Sequence, residues 1–137
     1  MRLFLALCGL LLTTPALAQQ NWMVGHWFGY GQPHDKSEMW LEESRPDGTI
    51  RVLHRGCFRG KATDVTDEGA WSLKGDILTV RIDKVDGQAL PAIRNDIYRI
   101  LSHSATRQTY RLERTGFVYN SRKVDGKFQL PPCDLSS

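Results

Sequence analysis

The side chains able to do chemistry are spread thinly along the chain. Glu38, Glu42, Arg51 and Arg55 fall on two neighbouring expected strands and are the first candidates for acid-base work. The same four also fit solvated cross-strand charge pairs on an outer face, which is the simpler reading. His26, His34, His54 and His103 are scattered, and although His34-Asp35 resembles a fragment of a metal site, nothing at hairpin or helical spacing completes it, so no metal is expected. There is no G-x-S-x-G, H-E-x-x-H, C-x-x-C or phosphate-cradling glycine loop. A binding protein is therefore expected ahead of an enzyme, although barrels assemble catalytic groups from distant strands without leaving a spacing signal.

Aromatic residues are the richer material. Trp40, Trp71, Tyr98, Tyr110 and Tyr119 join apolar rings to polar tips, which suits the lining of a cavity that holds an apolar or amphipathic molecule. If their hydroxyls face inward they need partners, supplied by water or by polar groups of a guest. The plainer reading is that these rings fill a small core. Trp27 is different: in Gly25-His26-Trp27-Phe28-Gly29-Tyr30-Gly31 an extended chain turns Gly25, Trp27, Gly29 and Gly31 to one face. The indole has no bulky same-face neighbour on its own strand, so it is expected to plug a space built by distant residues where a barrel closes.

The elements that position these residues are strands. Two-residue alternation bounded by turn residues marks strands at 25–31, 37–43, 49–55, 69–73, 77–85, 96–101, 106–113 and 117–124. Pro46-Asp47-Gly48, Lys74-Gly75-Asp76 and Asp86-Gly87 supply turns. Residues 56–68 read as a crossing loop or irregular strand, and 102–105 as a loop. Eight short strands joined by tight turns favour an all-β, eight-stranded antiparallel up-and-down barrel, because closure removes unpaired edges. A two-sheet sandwich is the alternative.

Residues 1–18 carry a basic start, an apolar run and Ala16-Leu17-Ala18, the pattern of a signal peptide cleaved after Ala18, leaving 19–137 as a single domain. The apolar run is about ten residues, too short for a bilayer that needs roughly 20 as a helix, so the mature chain is expected to be periplasmic or secreted and not membrane-spanning. Leu7 is too large for a lipobox before Cys8. Cys57 and Cys133 then remain in an oxidising compartment, and a disulfide is the default; two separate thiols or a zinc site are the alternatives. The net charge of +3 arises from basic residues interspersed with acidic ones, which argues against a nucleic-acid partner.

Gly25-His26-Trp27 resembles the G-x-W signature of lipocalins (calycins), and Gly25-x-Trp27-x-Gly29-x-Gly31 is similar to the motif of nitrobindin-like haem barrels. Asp96-Ile97-Tyr98 loosely resembles a second lipocalin motif, and Arg122 the arginine that packs over the motif tryptophan. Together with Glu38-Met39-Trp40 and Gly69-x-Trp71-x-Leu73-x-Gly75-Asp76, these features resemble small exported bacterial lipocalin-like domains of unassigned function. The resemblance implies a ligand-holding barrel closed by Trp27 and Arg122, with its tail tied to a middle strand by a disulfide. Nitrobindin-like barrels hold haem through a late-strand histidine, which residues 104–137 lack. No cofactor is expected, and haem is the one group the resemblance leaves open. Two uses follow: a barrel that binds a small apolar or amphipathic molecule, or an envelope protein whose outer surface inhibits or docks on another exported protein.

Overall fold

Two-residue periodicity governs the described chain. The computed structural model describes residues 22–32 and 35–134, so the expected leader and His34 lie outside the described residues. Eight strands follow in order: β1 (Gly25–Gln32), β2 (Asp35–Ser44), β3 (Thr49–Phe58), β4 (Lys61–Lys74), β5 (Ile77–Val85), β6 (Gln88–His103), β7 (Arg107–Leu112) and β8 (Val118–Val124). Each pairs antiparallel with the next, and β1 pairs with β8 to close a barrel. The sheet has no free edge, which rules out the open sandwich.

Two expected loops are strand. Residues 56–68 split between the end of β3 and the start of β4, because Arg59-Gly60 makes a two-residue turn with Phe58 facing Lys61. Both turn residues have positive φ, 52° and 72°, the geometry whose twist matches a hairpin. Arginine rarely adopts that backbone, which hid the turn. His103, expected in a loop, ends β6. That strand also begins earlier than its alternation suggests. Pairing with β5 lapses between Ala89 and Arg94, and Pro91, which has no N–H to give a ladder, sits in the gap.

The interior is packed by Trp27, Ile50, Trp71, Leu73, Leu78, Ile82 and Ile100, with Met23 sealing it from the N-terminal side. A second apolar layer lies outside the barrel, where Leu130 and Phe128 of the C-terminal tail cover Phe28, Met39 and Cys57. Cys57 and Cys133 are disulfide-bonded, with Cα atoms 5.5 Å apart. Arg55 fixes the same tail by donating to the carbonyls of Leu130 and Pro131 at 3.2 and 3.1 Å. Both faces of β2 are thus covered. Gly29 of β1 lies opposite Trp40 of β2, and a Cβ there would come within 2.5 Å of the Trp40 ring. The same Cβ would lie 2.7 Å from the Asn120 backbone oxygen, so Gly29 is crowded by both the indole and the β8 backbone.

Candidate functional site

One end of the barrel is shut. The Trp27 indole is fully buried and donates its N–H to the Met23 carbonyl at 2.7 Å. Trp22 meets it edge-on at 6.2 Å between ring centroids and stacks on His103 at 4.1 Å. Lys123 lies over the Trp27 ring, 5.1 Å from its centroid, and donates to the Trp22 carbonyl. Arg122 does not take that place. The β1–β8 register pairs Trp27 with Lys123 and Phe28 with Arg122, and alternation turns Arg122 to the outer face. There its guanidinium lies 5.1 Å from both the Phe28 and Phe128 rings. Arg122 belongs to the closing seam but not to the plug.

Trp71 also lies towards the shut end, its indole donating to the Arg45 carbonyl of the β2–β3 turn at 3.1 Å. From there outward, towards the opposite end, the interior holds a cavity of about 400 Å³. Trp40, Tyr98, Tyr110 and Tyr119 line it, and Trp71 does not; it packs in the core beneath. The rings form a connected set around Tyr110, with centroids 6.2 Å to Trp40, 5.3 Å to Tyr98 and 5.8 Å to Tyr119. Ile50, Val52, Leu78, Val80 and Ile82 complete an apolar wall.

The charged residues in this wall are of both signs, the carboxyls of Glu38, Glu42, Asp67 and Asp96 beside His54, Arg55 and Arg94. Glu38 and Glu42, expected on an outer face, turn inward with Trp40, while the apolar-looking Met39 and Leu41 face the tail. Glu38 is exposed at the mouth, whereas Glu42 lies deeper, opposite Trp27 in register and only 7% exposed. Ser44 donates to its Oε1 at 2.5 Å. Burial pushes the Glu42 carboxyl above its ordinary range, an effect that the Ser44 hydrogen bond and nearby His54 only partly offset. Burial likewise raises the Tyr98 and Tyr110 hydroxyls, so both stay neutral donors near pH 7.

Nearer the mouth is a charge network that spacing gave no hint of. Asp67 of β4 accepts from Arg94 of β6 and lies 3.3 Å from His54 Nε2 of β3. Arg94 also reaches Asp96 at 3.2 Å, and Arg114 reaches the other Asp96 oxygen at 3.4 Å. Burial opposes ionisation of Asp67, but hydrogen bonds from His54 and Arg94 outweigh it and hold the carboxyl below its usual range. These groups come from three strands and the β7–β8 turn, which is why no local motif carries them. Arg51 does not line the cavity and lies 3.9 Å from Glu68, whereas Arg55 borders it with its guanidinium in a two-pronged pair with Asp64 at 2.8 and 2.7 Å. Of the four acid-base candidates, Glu38, Glu42 and Arg55 thus border the cavity and Arg51 does not.

Of the described histidines, only His54 borders the cavity. Among the described residues, no group of three or more His, Cys, Asp or Glu side chains could hold a metal ion. None of their helices is long and apolar enough to cross a membrane. The arrangement can sequester a small molecule with a hydrocarbon body and a polar end. Compared with protein-family models, curated proteins and solved structures, the chain gives no significant match to any.

Proposed function

We propose that this protein is an exported binding barrel that holds one small amphipathic molecule between its aromatic wall and its inner carboxyls. The observation that carries this reading is the cavity of about 400 Å³, large enough for a small ligand, set in a barrel whose other end is plugged by Trp27. A barrel of eight strands that needed only stability would fill this space with side chains. The head motif around Trp27 resembles that of lipocalin-like barrels, and the closed eight-stranded meander is consistent with such a fold, which supports the same use. The disulfide supports residence in an oxidising compartment such as the periplasm or the exterior.

Native mass spectrometry of protein purified from its own host tests the reading directly. A co-purified small molecule is expected, together with saturable quenching of Trp40 fluorescence on rebinding that Trp40→Phe abolishes. A ligand-free protein that responds to no fatty acid, isoprenoid, amine or haem would refute it. A second reading, docking on another exported protein, draws on Ile93, Ile97 and Leu101, which expose 44–47% of their surface along β6.

A further inference from the structure

The polar end of the guest follows from which interior charges already have partners. Arg94 and His54 satisfy Asp67, and Arg94 and Arg114 satisfy Asp96. Glu42 accepts from the Ser44 hydroxyl and has His54 nearby, itself 3.3 Å from Asp67, and no lysine or arginine among the described residues pairs with it. It is nevertheless a carboxyl of the cavity wall only 7% exposed, two residues along β2 from Trp40 and on the same face. We propose that the guest is a monocation, an ammonium or guanidinium on a short hydrocarbon body, whose charged head sits against Glu42 within the rings of Trp40, Tyr98, Tyr110 and Tyr119. This rests on the binding reading above and names the class of ligand.

Three further observations agree. Aromatic faces attract cations, most strongly where water is excluded, and Trp40, Tyr98 and Tyr119 each lie 5.3–6.2 Å from Tyr110. An anionic head finds the arginines of the described cavity wall already paired: Arg94 is held by Asp67 and Asp96, and Arg55 by Asp64 and the tail carbonyls. The hydrocarbon body has Ile50, Leu78, Val80 and Ile82 to lie on. A buried carboxyl with no charge partner is costly when ionised, and an incoming cation removes that cost, so binding and ionisation of Glu42 support each other.

Isothermal titration with octylamine, octanol and octanoate, three guests that differ only at the head, separates the possibilities. The amine is expected to bind at least about tenfold more tightly than the alcohol, as one charge-assisted contact in a dry site allows. Glu42→Gln is expected to remove that preference, so that amine and octanol bind the variant about equally. If octanol or octanoate binds as tightly as the amine, or if the amine keeps its preference in a folded Glu42→Gln protein, the cation assignment is wrong and the binding reading stands. If none of the three binds, both fall. The head-group comparison on the unsubstituted protein decides the matter even if the variant does not fold.

Discussion

Lys123 and Trp27 face each other across the β1–β8 seam, with the ammonium 5.1 Å from the centre of a fully buried indole. The pair is where the barrel closes, and its second anchor is the hydrogen bond from Lys123 to the Trp22 carbonyl, 3.3 Å long, which pulls the N-terminal segment over the end. Lys123→Ala should lower stability by about 1–2 kcal/mol, combining a partly desolvated cation-π contact with one lost hydrogen bond. Arg122→Ala should cost less, since Arg122 is exposed. Urea midpoints of the two variants check this; a larger loss for Arg122 would contradict the assigned register.

The disulfide ties the tail over β1–β3 and closes a loop of 76 residues. In the chain-entropy picture that is worth about 4 kcal/mol, an upper figure because reduced chains keep residual structure. Reduction, or Cys57→Ser, should lower the denaturant midpoint markedly. It should also release the tail, which limited proteolysis near residue 130 would detect. A tail that stays protected after reduction would mean that Leu130, Phe128 and Arg55 hold it unaided.

Gly69 and Gly75 make a paired test of backbone crowding. A Cβ on Gly69 would lie 1.8 Å from the Arg81 carbonyl oxygen, at the β4–β5 bulge, whereas one on Gly75 would meet nothing within 4 Å and only a φ of +60° opposes it. Gly69→Ala should therefore cost about 3 kcal/mol or more, and Gly75→Ala about 1 kcal/mol. Thermal unfolding of both variants measures the contrast, and equal losses would show that the bulge relaxes freely.

Two inward carboxyls should give opposite pH behaviour. Glu42 ionises less readily when folded than when unfolded, so its contribution to stability falls as pH rises from the ordinary carboxylate range towards its raised value. Glu42→Gln should then be more stable than the parent at neutral pH and converge with it in acid. Asp67 is held below its ordinary range, so its contribution is present at neutral pH and lost on acidification through that lowered value. Asp67→Asn should be destabilised at neutral pH and approach the parent only in strong acid. Melting temperatures from pH 3 to 8 decide both; parallel curves would contradict the burial of these groups.

Alternation, turn glycines and the scarcity of cysteines determined the strand number, the antiparallel order and the chemistry of the cross-link, because these depend on residues that are near in sequence or few in kind. The burial of Trp27 was equally local, written in the glycines around it. What lay inside was another matter. On β2 the apolar-looking pair Met39 and Leu41 faces the tail, and Trp40 and Glu42 face the cavity, because the tail gives this strand two buried faces and so removes the meaning of alternation. A register one residue from expectation put Lys123, not Arg122, on Trp27. The network joining Asp67 of β4 to Arg94 of β6 spans 27 residues and reaches across β5. Only closure of the barrel, which fixes shear and depth together, brings such groups to one mouth.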